Sequence, residues 1–193
     1  MKKISLITLA LLIVTNAIVA QEKTVRFGVK GGVNFSTLKN EFGTNDYRTG
    51  YHAGVFANIR ADKNLSLQPE LLYSAQGGEF PNGKKHDLSY VSLPLMLQYT
   101  IADRFRIQTG PQVSYLTNSE VKYDHMPEGP HQYETEFFNK VKEWDFAWSA
   151  GVGYVTPLGL GVDARYNLSL NDISKTGRLE NRAWQVGVFY QLR

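Results

Sequence analysis

Seven charged side chains sit in stretches that otherwise alternate apolar with small or neutral polar residues: Arg26, Lys30, Arg60, Glu70, Arg106, Asp163 and Arg165. An isolated ion in such a setting is costly, so these groups must pair with one another or stay hydrated. Two chemistries fit that requirement. One is a structural ion-pair network; the other is a gate or selectivity element opened by rearranging the pairs. Other constellations are weaker. His125 and His131 lie six apart with Asp124 and Glu128 nearby, but the spacing matches no zinc-ligand pattern, and a solvated loop is the simpler reading. Gly28, Gly31 and Gly32, and Gly151 with Gly153, neither open a helix nor carry dinucleotide spacing. They read as interior packing and strand curvature. His52 and His86, with Ser36, Ser74 and Asp46 as possible neighbours, show no spacing that selects a base and a nucleophile. The residues therefore predict no catalytic group, no metal and no cofactor.

The elements that must position these charges are strands. In LGVDARYNLSLND, residues 160–172, every second side chain is apolar or aromatic and the rest are small or polar. That alternation is the signature of a β-strand. Eight such segments follow one another: 25–37, 50–61, 65–79, 87–100, 105–117, 144–156, 160–172 and 182–192. They are longer than the ~5–6 residues usual in soluble sheets and suit the ~9–11 needed to cross a bilayer at a tilt. Short connections at 62–64, 102–104 and 157–159 alternate with longer ones at 38–49, 80–86, 118–143 and 173–181. Short turns on the periplasmic rim and long loops outside are what an up-and-down transmembrane barrel requires. The fold class predicted is all-β: an eight-stranded antiparallel up-and-down transmembrane barrel.

Residue size sets which face is inside. One face carries glycine, serine, glutamine and the occasional charge; the other carries leucine, valine and aromatics. The first would cover a soluble surface poorly and fits the crowded interior of a narrow barrel, whereas the second fits lipid. Phe27, Tyr99, Phe105 and Tyr190 fall near the short-turn ends, and Phe35, Tyr51, Tyr115, Phe146 and Trp184 near the long-loop ends. Two aromatic belts anchor such a barrel at both interfaces. Read alternately up and down, Lys30, Glu70 and Arg165 fall about five residues from the short-turn ends of their strands, with Arg26, Arg60, Arg106 and Asp163 lower. The predicted lumen charge network comprises all seven, arranged as a salt-bridged plug around Lys30, Glu70, Asp163 and Arg165. A barrel of eight strands is only wide enough for its own side chains, so steady conduction is not expected.

The chain opens MKKISLITLALLIVTNAIVA, with two lysines, an apolar stretch and small residues at Ala17 and Ala20. This reads as a Sec-type signal peptide over residues 1–20, leaving 21–193 as one barrel domain. Removing Lys2 and Lys3 leaves 19 basic against 18 acidic residues, a formal charge of +1, so the basic pI is no argument for nucleic acid. There is no cysteine, hence no disulfide and no lipid anchor on cysteine. The 17 glycines and 24 aromatics match a β-rich, turn-rich chain.

Near the C-terminus, Gln185 to Leu192 (QVGVFYQL) alternates polar and apolar residues and resembles the recognition strand read by the outer-membrane assembly machinery. Arg193 follows it, a departure from chains that stop on an aromatic. FGVKGGVNFS at 27–36, GYHAGVFANI at 50–59, LSLQPELLYSAQG at 65–77, YVSLPLMLQY at 90–99, GPQVSYL at 110–116 and DARYNLSLNDI at 163–173 together resemble the small outer-membrane β-barrel family of Bacteroidota called PorT-like. The resemblance spans the mature chain and implies an OmpA- or OmpX-type barrel. Its founding member's link to protein secretion is not carried over, because the matching stretches are those that build the barrel wall.

Function is then expected in the outer loops. Loop 118–143 reads as a hairpin above the membrane, and Tyr123, His125, His131, Tyr133, Phe137 and Phe138 are its candidate contacts with lipopolysaccharide or a protein partner. The leading expectation is a monomeric structural or interaction protein of the outer membrane, serving adhesion, envelope integrity or a secretion complex. The alternatives are small-solute transport through a gated pore and, further off, a soluble exported barrel of lipocalin type. Leu168→Arg is expected to impair membrane assembly, whereas Asn167→Ala on the opposite face is expected to be tolerated. Heat-modifiable migration of the assembled barrel checks both.

Overall fold

In a computed structural model, residues 25–40, 43–44, 46–79, 84–123, 142–172, 174 and 179–192 are described. The expected signal segment 1–20 lies outside them. Eight long strands wind up and down: β1 (Val25–Asn40), β2 (Asp46–Arg60), β3 (Leu65–Glu79), β4 (Lys84–Ile101), β5 (Phe105–Tyr123), β6 (Trp144–Val155), β7 (Leu160–Ser169) and β8 (Leu179–Gln191). Each pairs antiparallel with its sequence neighbour, and β8 pairs with β1 from Gly28↔Gln191 to Asn40↔Leu179. The sheet is thus a closed barrel with no free edge. A two-residue strand, Gly43–Thr44, adds a short rung against the outer end of β1.

All eight expected segments are strands, but their outer ends differ from expectation. β1 continues to Asn40, β2 begins at Asp46, β4 begins at Lys84, β5 continues to Tyr123 and β8 begins at Leu179. Much of what the alternation assigns to loops is strand, because pairing in a hairpin continues wherever the partner supplies hydrogen bonds. β7 is shorter than expected and stops at Ser169. The amide side chain of Asn171 there accepts from Phe146 N at 2.7 Å and donates to Trp144 O at 3.2 Å, replacing ladder bonds with side-chain bonds.

Local chemistry explains the tight turns. Ala102 and Asp103 both hold positive φ (51° and 63°), the pattern of a primed hairpin turn whose twist matches the flanking strands. At the β6–β7 turn Gly159 has φ 88° and its N–H donates to Thr156 O at 3.0 Å. That left-handed position is where glycine avoids the Cβ penalty.

The faces follow residue size as expected on the outside. Val33, Val55, Leu71, Leu95, Ile107, Val152, Val162, Val186 and Val188 are exposed, as are all nine belt aromatics. On the long-loop side Tyr115 packs edge-on against Trp144, and Tyr166 meets Trp184 with the rings tilted by 48°. The interior departs from the small-and-polar expectation. Phe56, Leu72, Leu88, Tyr90, Met96, Leu116 and Phe189 are buried in the lumen. They fill volume that small residues leave open, and glycines opposite make the room. A Cβ on Gly28 would strike the Phe56 ring, and one on Gly161 would strike the Phe189 ring. Phe56 and Phe189 themselves meet edge-to-face at 5.9 Å.

Depth along the strands sharpens the lipid-face test. Val186 lies midway along β8, paired with Val33 and Ala164, whereas Leu168 is one residue from the outer end of β7. An arginine at the bilayer midplane of a barrel costs ~2–4 kcal/mol and near the interface ~0–1 kcal/mol. Val186→Arg is therefore expected to lower the unfolding free energy in lipid vesicles by that larger amount, and Leu168→Arg by the smaller one, in denaturant titrations.

Candidate functional site in the barrel lumen

Lys30 on β1, Glu70 on β3, and Asp163 and Arg165 on β7 all point inward, because they share parity with the small residues of their strands. Strand register brings them to one height. Arg165 Nη1 and Nη2 donate to the two Glu70 carboxylate oxygens, each at 2.9 Å. Lys30 Nζ donates to Asp163 Oδ2 at 2.6 Å and lies 3.7 Å from Glu70 Oε2. Arg165 Nη2 is also 3.5 Å from Asp163 Oδ2. Two cations and two anions make the cluster neutral, and all four residues are buried. The forked geometry of arginine suits a bidentate carboxylate contact, which a lysine at the same position does not supply.

Neutral amides extend the cluster into a closed ring. Gln68 Nε2 donates to Glu70 Oε1 at 2.8 Å, and Arg165 Nη2 donates to Gln108 Oε1 at 3.1 Å. Gln98 Nε2 donates to the same Gln108 oxygen at 3.1 Å. Asn58 Nδ2 closes the circuit by donating to Gln98 Oε1 at 3.0 Å and Gln68 Oε1 at 3.2 Å. Side chains from β2, β3, β4, β5 and β7 are thereby tied across the lumen. Around this level the void bounded by Lys30, Phe56, Gln68, Arg106 and Phe189, among others, is about 10 Å³. A cavity of that size holds one water molecule at most. The lumen is filled here.

Arg26, Arg60 and Arg106 are not part of this cluster. They lie at the short-turn mouth, where Arg106 Nη2 donates to Gln191 Oε1 at 3.0 Å. Tyr123 ends β5, while His125, His131, Tyr133, Phe137 and Phe138 lie outside the described residues. His52 is buried, with Nδ1 2.7 Å from Asn34 Oδ1. Asn34 Nδ2 in turn donates to Ser74 Oγ at 3.0 Å. Ser36 Oγ accepts from Gly77 N at 2.8 Å. These groups form barrel cross-links, and no base–nucleophile pair is assembled from them. Among the described residues no group of three metal-ligating side chains comes together.

Sequence reasoning missed the amide ring. Its signal is present but faint: Asn58, Gln68, Gln98 and Gln108 all have inward parity and lie within a few residues of a short turn. Which amides meet depends on the stagger between strands, which alternation alone does not reveal.

A closed antiparallel barrel with an apolar, aromatic-belted exterior and a polar, ion-paired interior is a bacterial outer-membrane barrel. The chain belongs to the family described as outer membrane protein beta-barrel domain, which matches residues 19–175. Among solved structures it is similar to Neisserial surface protein A, at 14% identity and a TM-score of 0.57, covering 85% of this chain and 96% of that one. It is also similar to Ail, the attachment invasion locus protein of Yersinia pestis, solved with the heparin analogue sucrose octasulfate. That likeness has 15% identity and a TM-score of 0.53, covering 87% of this chain and 99% of Ail. At such identities the likeness shows the fold. Comparison with curated proteins gives no match.

The pairing makes a sharp energetic prediction. Removing one partner of a buried pair leaves an uncompensated charge and costs ~3–5 kcal/mol, whereas replacing both by apolar residues is near neutral. Arg165→Met is expected to lower unfolding free energy by that amount in vesicles. The double variant Arg165→Met with Glu70→Leu is expected to recover most of the loss.

Proposed function

We propose that this outer-membrane barrel is a closed structural and interaction protein whose work is done at its outer surface. The observation that carries the reading is the filled lumen. Beside the neutral, four-charge cluster and its amide ring the void is about 10 Å³, too small for a solute. With the centre of the lumen committed to bracing the wall, the outer loops are the surface for contact with macromolecular partners. Loop 118–143, with Tyr123, His125, His131, Tyr133, Phe137 and Phe138, supplies aromatic and titratable groups there. Its partner is lipopolysaccharide or another envelope protein, in adhesion, envelope integrity or as an accessory to secretion. Residues 1–20 act as the export signal, Gln185 to Leu192 as the strand recognised by the assembly machinery, and the mature protein is monomeric and not an enzyme. The PorT-like resemblance of the wall-building stretches supports this reading at the level of family.

Two measurements test it. The purified protein in a planar bilayer is expected to give no single-channel steps; stable steps would favour solute transport through a gated lumen instead. Photo-crosslinking from positions 121–138 in intact cells is expected to capture lipopolysaccharide or one envelope protein. Adducts no different from those of a probe on the periplasmic turn at Lys63 would remove the basis for an outer-loop role.

A further inference from the structure

The short-turn end of the lumen opens into a cavity of about 690 Å³ whose walls carry Arg26, Arg60, Lys63, Arg104, Arg106 and a single carboxylate, Asp103. Arg26, Arg60 and Arg106 hold the last inward-facing positions of β1, β2 and β5. β1 and β2 are neighbours and β5 stands across the barrel from them, so the cations face the cavity from opposite sides. The charges of Arg26 and Arg60 act on Arg106 directly. Two of the arginines are held by neutral groups. Arg106 donates to Gln191 and lies 5.7 Å from the Phe189 ring centre, whereas Arg104 Nη1 donates to the hydroxyl of Tyr154 at 3.2 Å, a residue on the outward parity of β6, so its fork points out of the cavity. Among the described residues no carboxylate forms a salt bridge with any of the five cations. This contrasts with the cluster above it, where every charge is matched.

Among the described lining residues, three inward-facing arginines and Lys63 against one carboxylate, in a concavity with low-dielectric walls, focus a positive potential into the space between them. Fixed guanidinium forks are the groups best suited to bind oxyanions bidentately. Forks approaching from opposite walls favour a tetrahedral anion with three or four acceptor oxygens over a planar carboxylate with two. The volume is in the range of small-molecule sites, large enough for a phosphate and the body of the ester that carries it. Above the cavity the Phe189 ring lies beside Arg106 and the void beyond it is only about 10 Å³, so a ligand entering from the periplasm docks and stops.

We propose that the periplasmic mouth of the barrel is a binding site for a phosphate group, carried either by a small soluble phosphate ester or by the headgroup of an inner-leaflet phospholipid. The site is independent of the outer-surface role above.

The experiment uses the full mature chain, folded in a phosphate-free maltoside detergent and titrated with glycerol 3-phosphate. Binding is followed by calorimetry and by backbone amide shifts. Saturable binding is expected, with shifts at residues 26, 60 and 106 and no comparable response to acetate. Arg60→Gln at the exposed end of β2 is expected to weaken it about tenfold, the loss of one charge-assisted contact. Heat-modifiable migration verifies that the variant is folded. Repeating the titration in nanodiscs containing phosphatidylglycerol separates the sources. Undiminished binding assigns a soluble ester; binding abolished, with those amides already displaced, assigns the lipid headgroup. Either result supports the site. No saturable shift at these amides, or an unchanged response in folded Arg60→Gln, would overturn it.

Discussion

The bidentate contact between Arg165 and Glu70 holds the interior together, because the cost of burying each charge is met chiefly by the other. In a narrow barrel the lumen is the sole place for inward charges, and water cannot follow them in quantity. Arg165 lies between β3 and β5, binding Glu70 on one and Gln108 on the other, while Asp163 two residues earlier takes the Lys30 ammonium. Neutrality of the four-charge group fixes its composition. Its height is fixed by register, since a one-residue slip of any strand would turn the charge out to lipid.

The same constraint orders what lies above and below. Towards the outside, polar cross-links such as Asn34 with His52 and Ser74, Ser149 with Asn167 at 2.6 Å and Ser169 with Asp145 at 2.7 Å alternate with buried Leu72, Leu88 and Leu116. Towards the periplasm, the paired rings of Phe56 and Phe189 close the floor. Below them, among the described residues, the cations of the mouth form no salt bridge. The barrel thus separates a neutral, packed centre from a positive, open mouth.

Much of this is legible in the sequence. The eight strands, their alternating loop lengths and the outward aromatic belts follow from parity and spacing, because side-chain direction in a strand has period two. The meeting of Lys30, Glu70 and Arg165 follows from counting residues up from the short turns. The same count puts Arg26, Arg60 and Arg106 lower, where they line the mouth; what parity does not carry is the stagger between strands, which decides that Asp163 joins the cluster and these arginines do not. β4 is the other blind spot. Its stretch LSYVSLPLMLQY is apolar on both faces, since Leu88, Tyr90 and Met96 fill the lumen while Val91, Leu93, Leu95 and Leu97 meet lipid. Interior phenylalanines are equally hidden, because their places are made by glycines on neighbouring strands, far away in sequence.

The lumen is closed at its centre by a buried cluster in which each charged group faces one of opposite sign. Side-chain proton exchange at Arg165 and Lys30, followed by nitrogen-resolved NMR of the protein in lipid nanodiscs, tests it most directly. Distinct, slowly exchanging guanidinium protons on Arg165 and a protected ammonium on Lys30 are the expected result. Guanidinium and ammonium signals averaged with bulk water would contradict it.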